Sequence, residues 1–231
     1  MMFDPLWLLL AAPGLILSLW ATFFVKSTFA KYSKVPSRRG LTGAQAAQVM
    51  LETSGVQGVT IHRAAGWLSD HYNPLTKTLN LSEGVYDSTS LSAIGVACHE
   101  AGHALQHAHG YALMGVRSAL VPATNIGSKV SYVFIFIGFI LQSQRMILLG
   151  AGLFSVAVLF ALITLPVEWN ASARAKVAMV RAGVVTQQES YDAGRVLNAA
   201  FMTYVAAAVT ALLQLLYYLI RAGVFGGRRS N

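Results

Sequence analysis

Ala97-Cys98-His99-Glu100-Ala101-Gly102-His103-Ala104-Leu105-Gln106-His107 is the stretch from which the rest of this chain can be read. At its centre stands His-Glu-x-x-His. On a helix, His99 and His103 lie one turn apart on the same face, so both imidazoles can reach one metal ion, and zinc is its natural occupant. Glu100 points about 100° round the helix from His99. That lets it stand beside the ion without ligating it and act as general base in metal-assisted hydrolysis. A short pattern with three fixed positions also arises by chance, so context has to support it. The residues from Ser90 to about His109 form an unbroken helix-favouring run, with Ser88 or Ser90 as N-cap. His107 would lie about 12 Å further along the axis than His99, too far to share the ion, and reads as a supporting or surface residue, as does His109. His62 and His71 read as ordinary strand or loop residues. Cys98 is the single cysteine, so no intrachain disulfide exists, and beside the motif it reads as a small packed residue and not a nucleophile.

Composition places this helix in an apolar chain. Of 231 residues, 55% are hydrophobic and only 11% charged, against about 25% charged in soluble domains. This is the composition of a membrane protein. The net charge of +8 arises because acids are scarce, nine in all. Lys and Arg gather at the ends of apolar runs, which is membrane-flanking charge and excludes a nucleic-acid footprint.

Residues 5–25 are apolar for about one bilayer crossing, with Asp4 before them and Lys26, Lys31, Lys34, Arg38 and Arg39 after. A cleaved signal peptide fits poorly, because no positive charge precedes the run and no small-residue cleavage site follows it. The stretch is expected to be a retained first span. Thr42 can cap a helix carrying Ala46, Ala47, Val49, Met50 and Leu51 and stopping at Gly55. Val59-Thr60-Ile61-His62 has strand character. His71-Tyr72-Asn73-Pro74 followed by Lys77-Thr78-Leu79-Asn80-Leu81 predicts strand, turn, strand, the last alternating as a sheet edge would. Such an edge just before the metal helix could accept an extended peptide by strand addition, or be a structural hairpin.

After the metal helix, residues 130–141 are the weakest span. To cross, they must borrow turns from Ala119 onwards, tolerate Pro122 and accommodate Lys129. Residues 142–145 form a polar turn and 146–165 an unambiguous span, making a membrane hairpin. Pro166 suits a first helical turn or a break, opening a helical run to Gly183. Thr186-x-x-Glu189 predicts a capping box for a helix that runs into a last span at 201–220. The expected organisation is a first span at 1–26, a linker and catalytic α+β region at 27–118, the hairpin at 119–166, helices at 167–199, and a last span with a basic, disordered tail at 200–231.

Two histidines do not hold catalytic zinc; three protein ligands and a water is the usual set. Asp4 lies at the far end of the first span, Glu52, Glu83 and Asp87 precede the motif in polar surroundings, and Glu189 belongs to a cap. Glu168, tucked against the end of an apolar span, lacks such an explanation, although a solvated carboxylate at a helix start is the competing reading. The hairpin must cross twice for Glu168 to return to the side of His103. Ser172, one turn after Glu168, could support a ligand by hydrogen bonding; Asn170 points elsewhere and is assigned no chemistry. Lys26 through Arg39, Arg117, Lys129, Arg174, Lys176 and Arg181 on the catalytic side outnumber Arg145 and the C-terminal arginines, which predicts a cytoplasmic catalytic face.

The segments His-Glu-Ala-Gly-His-Ala-Leu-Gln-His, Arg-Ser-Ala-Leu-Val-Pro and Leu-Pro-Val-Glu-Trp-Asn-Ala-Ser, in that order, resemble the bacterial YugP-type zinc membrane metallopeptidases. Ser69-Asp70-His71-Tyr72 with Leu81-Ser82-Glu83, and Val196-Leu197-Asn198-Ala199-Ala200 with Thr203-Tyr204-Val205-Ala206-Ala207, extend the likeness from first span to last. The resemblance implies a mainly α integral membrane protein of about four spans, with a small gluzincin-like α+β catalytic unit. It implies one zinc ion on His99, His103 and Glu168, with Glu100 as base, and a peptide or protein as substrate of a zinc endopeptidase. Many gluzincins carry Asp four residues after the ligand glutamate, where this chain has Ser172. The oxyanion stabiliser is open among Tyr204, Arg195 and His107. An oligomer or a regulatory membrane partner is compatible with the sequence. Two rival functions stay open: an intramembrane site-2-type protease, against which Gln106, His107 and His109 are costly in lipid, and a zinc-binding scaffold or sensor, which would need no base.

Overall fold

The computed structural model describes residues 4–66 and 69–225; the basic tail with Arg228 and Arg229 lies outside the described residues. Among the described residues the chain forms α1 (Pro5–Tyr32), α2 (Gly43–Thr53), β1 (Thr60–Ala64), β2 (His71–Asn73), β3 (Thr78–Ser82), α3 (Glu83–Tyr86), α4 (Leu91–Ala108), α5 (Ala112–Ile140), α6 (Gln144–Arg181) and α7 (Gln187–Arg221). It is mainly α, with one small sheet, and α1, α5, α6 and α7 are long and apolar enough to cross a membrane.

The chain divides into two compact units that interleave along the sequence. One comprises Met1–Ala21, Val116–Leu165 and Thr203–Asn231. Its helices approach closely where side chains are absent: a Cβ at Gly150 would meet Ile135 at 2.5 Å, and one at Gly14 would meet the Thr210 hydroxyl at 2.8 Å. Leu9, Leu15, Ile16, Ile126 and Phe136 are all at least 60% exposed. In water each would forgo about 1.5–3 kcal/mol of burial, so this surface is stabilised by hydrocarbon. The weak fifth helix runs unbroken through Pro122, because in an apolar surrounding the helical bonds on either side of the proline are the backbone's best remaining option.

The other unit, Thr22–Gly115 with Pro166–Met202, is built around α4. Ser90 caps this helix by accepting from the Ala93 amide. Its small residues Ala93, Ala97, Cys98, Ala101 and Ala104 are all buried, leaving room for neighbours on nearly every side. On one side packs α2, whose Thr42 and Gln45 form a reciprocal capping box and whose Ala46, Ala47, Met50 and Leu51 are buried. Gly55, just past the C-cap Ser54, takes φ 71°. Thr186 and Glu189 form the expected capping box, and the same Glu189 carboxylate also accepts the Arg38 amide at 2.7 Å.

The sheet has the order β1-β3-β2, with β1 parallel and β2 antiparallel to β3. The strands fall where the sequence predicts, but β3 is central and not an edge. Its Leu79 and Leu81 are fully buried while Thr78 and Asn80 are half-buried. Alternation reports which face of a strand is covered and is blind to how many neighbours it has. Strand addition at β3 is therefore blocked along 78–80, which pair on both sides. Asp70 accepts from the Ser82 amide at 2.8 Å and from its hydroxyl, tying the approach to β2 onto the end of β3.

A second departure concerns Pro166. It neither opens a helix nor breaks one: α6, 38 residues long, runs through it to Arg181. Glu168 is therefore a mid-helix residue, which removes the helix-start explanation of its carboxylate.

Candidate metal centre

The centre is assembled from α4 and the part of α6 beyond its apolar 146–165 stretch. Gly102 sets the distance between the two helices: a Cβ there would lie 2.5 Å from the Ala171 carbonyl oxygen, so any larger residue would push the backbones apart. The adjacent turns then face one another. Glu168 Oε2 lies 3.1 Å from His99 Nε2 and 3.6 Å from His103 Nε2. One donor atom from each of these residues lies within 4.8 Å of the others, a group able to hold a metal ion. Zinc bonds of about 2.0–2.2 Å in a tetrahedral set require donors about 3.3 Å apart. The two carboxylate–imidazole separations bracket that value, as donors sharing one ion require.

Burial makes the grouping chemically demanding. Glu168 is 1% exposed and His103 6%, and a carboxylate so placed must be paired. Burial alone would raise the Glu168 pKa, but hydrogen bonds and charge from His103 and then His99 outweigh it and hold the carboxyl well below the usual carboxylate range. The site thus carries an anionic oxygen and two ring nitrogens turned toward it.

Each histidine is held from behind. Ser172 Oγ lies 3.0 Å from His99 Nδ1, so a neutral hydroxyl from α6 reaches the first histidine. Gln106 Oε1 lies 2.9 Å from His103 Nδ1, and Gln106 is fully buried. Sequence reasoning missed this contact and counted Gln106 only as a polar residue. The signal was present: Gln106 stands three residues after His103, on the same helical face. Asn170 is also engaged, accepting from Gln106 at 3.0 Å and from Arg174 at 2.7 Å.

Glu100 stands outside the three-residue group, and its Oε2 accepts the Tyr72 amide at 3.0 Å. That bond ties β2 to the metal helix. His107 Nδ1 lies 2.9 Å from the Tyr72 hydroxyl, and His62 and His71 bond to sheet neighbours Thr60 and Asn80. None of the three joins the group. Arg195 donates to the Tyr191 hydroxyl at 3.2 Å. Cys98 is fully buried, and burial pushes its thiol up to about 12, which makes it a packing residue and not a nucleophile.

Residues 7–223 match the family model described as "Putative neutral zinc metallopeptidase". The chain belongs to this family. Within it, the chain is 45% identical over 215 residues to a protein of Bacillus subtilis (strain 168) named "Putative membrane protease YugP", covering 93% of this chain and 96% of that one. No solved structure matches this chain. For a neutral zinc metallopeptidase the site must accommodate zinc, and two imidazoles with one carboxylate are donors suited to that ion.

Proposed function

We propose that this protein is a multi-pass membrane zinc endopeptidase of gluzincin type, with His99, His103 and Glu168 as ligands to one zinc ion and Glu100 as general base. The observation that carries the reading is the approach of Glu168 to two imidazoles 69 and 65 positions earlier in the chain, with Glu100 on the same helix but outside the group. A structural zinc site has four protein ligands and no open position, whereas three ligands leave one for water.

When bound, zinc supplies a Lewis acid that makes water nucleophilic at neutral pH and polarises a peptide carbonyl. The chain's own residues do the rest. His99 and His103 present Nε2 atoms toward Glu168, and Ser172 and Gln106 hold their other ring nitrogens. The Glu100 carboxylate takes the proton from the attacking water and delivers it to the departing amine. The Tyr72 amide keeps that carboxylate oriented. Following the basic residues that flank the spans, the catalytic face is cytoplasmic. The helix α4 is not among the four long enough and apolar enough to cross a membrane, which disfavours cleavage within the bilayer.

The test is digestion of a peptide library by purified protein, with and without chelator, beside Glu100→Gln. General-base catalysis is worth about 10²–10⁴-fold, so the variant should lose at least about a hundredfold in turnover while keeping its zinc. Unchanged turnover in the variant would remove Glu100 from the mechanism.

A further inference from the structure

A cavity of about 500 Å³ is walled by the C-terminal ends of α2 and α4 and by α6 past Glu168. Its polar side chains are those of Ser54, His109, Asn170, Arg174 and Arg181, and none of the described residues lining it is acidic. We infer that this cavity is a binding site for the phosphate group of a soluble ligand, gripped between Arg174 and Arg181. None of His99, Glu100, His103 and Glu168 lines it, so the site stands whether or not the chain is a peptidase.

Arg174 is held from three sides. Its Nε donates to Asn170 Oδ1 at 2.7 Å, its Nη1 donates to His109 Nδ1 at 3.1 Å, and its guanidinium stands 5.8 Å from the centre of the Tyr111 ring. Those bonds use two of its five N–H groups and leave the others pre-organised. Arg174 can only donate, so Asn170 turns its oxygen toward it. The same oxygen accepts from Gln106 at 3.0 Å, which leaves the Asn170 NH2 to donate elsewhere. Among the described residues, neither the Ser54 hydroxyl nor the Arg181 guanidinium makes a side-chain hydrogen bond or ion pair. Two cations, an amide NH2 and a hydroxyl, with no acid beside them, are donors suited to an oxyanion. The carbonyls at the ends of α2 and α4 do not oppose one, because the amides of residues 54–56 and 109–111 already occupy them.

An arginine at a helix end can be there for the macrodipole alone, which accounts for Arg181, the last residue of α6. It does not account for Arg174, two turns inside on the same face. Two guanidiniums match the charge and the several oxygens of a phosphate, whereas a carboxylate brings one charge and two oxygens. The volume leaves room for the organic part of a phosphate ester beside the apolar Leu105 and Val177. Counted from Leu165, where the apolar run ends, Arg174 stands about 13 Å and Arg181 about 24 Å further along the helix. A headgroup layer is about 5–8 Å deep, so both lie beyond the lipid phosphates and the ligand comes from solution.

The test is calorimetric titration of the full chain in a neutral detergent with inorganic phosphate, phenyl phosphate and benzoate. Both phosphates should bind, phenyl phosphate with a Kd at or below about 1 mM and about tenfold or more tighter than benzoate. A hydrogen bond to a charged group is worth about 10–100-fold, so Arg174→Gln and Arg181→Gln should each weaken phenyl phosphate by that factor. Arg63→Gln removes the same charge from the same unit and should leave the affinity unchanged. Val177→Glu keeps both arginines, changes an exposed helical position to a good helix former, and sets a carboxylate one turn from each arginine; it should abolish binding. Wild-type protein that takes up neither phosphate overturns the inference, even if an arginine variant fails to fold. So does benzoate bound as tightly as phenyl phosphate, Val177→Glu with undiminished binding, or Arg63→Gln as impaired as Arg174→Gln. Phosphate held on the metal instead would be insensitive to both arginine variants, which overturns it too. In vesicles of phosphatidylcholine, with or without about one third phosphatidylglycerol, the phenyl phosphate affinity should agree within about twofold. A loss of about tenfold with phosphatidylglycerol would assign the cavity to lipid headgroups and overturn the soluble ligand.

Discussion

At the scale of single residues, the centre separates groups that would touch the metal from groups that hold them. Loss of an outer partner costs about 10–100-fold in metal affinity, and loss of a direct ligand should exceed that. Glu168→Ala is therefore expected to weaken zinc binding by more than ~100-fold, with Ser172→Ala staying inside the 10–100-fold window. Competition titration of both variants against a chromogenic chelator checks the ordering, and a Ser172→Ala loss larger than that of Glu168→Ala would reverse their roles. Cys98 offers a separate check on packing: buried, with its thiol raised to about 12, it should resist maleimide in the folded protein and react once the chain is unfolded. The imidazole pair was legible in the sequence because helical spacing alone brings residues four apart together. Gln106 was equally local, three residues on, but a glutamine near a metal motif has too many ordinary uses for its type to announce a role.

At the scale of elements, the decisive contact is between α4 and α6. Gly102→Ala would place a methyl 2.5 Å from the Ala171 oxygen, a backbone atom that cannot swing aside. It should destabilise the protein by about 1–3 kcal/mol and lower zinc affinity as the helices part. Gly115→Ala, with open space around the added carbon, should be neutral or slightly stabilising because alanine is the better helix former. Thermal unfolding of the pair decides whether Gly102 is there for close approach. The caps at Thr42, Ser90 and Thr186 were legible because capping is settled within four residues. The centrality of β3 and the passage of α6 through Pro166 were not. Whether a strand has one neighbour or two, and whether a proline ends a helix or is carried by it, depends on what packs around them.

At the scale of the whole molecule, the composition and the four apolar helices predict that the protein stays with the membrane fraction through an alkaline wash and needs detergent for release. Metal linkage acts on the folded chain as a whole. Free zinc at about a hundred times its Kd should stabilise the native state by about 2.7 kcal/mol. A chelator should accordingly lower the Tm of the wild type and leave that of Glu168→Ala unmoved. Equal sensitivity of the two proteins would mean that the metal is held elsewhere.

The sequence by itself determined the helical, membrane-bound character of the chain, the turns and caps, and the pairing of His99 with His103, since each of these is encoded in composition or in spacings of a few residues. It also singled out Glu168, by the cost of a carboxylate beside an apolar run. Only the tertiary structure decided that this carboxylate lies 3.1 Å from His99, that Gln106 and Asn170 stand behind His103, and that Tyr72 holds Glu100. Those are distances between elements far apart in the chain. They are set by how closely helices can pack once Gly102 removes a side chain, and no local pattern carries that information.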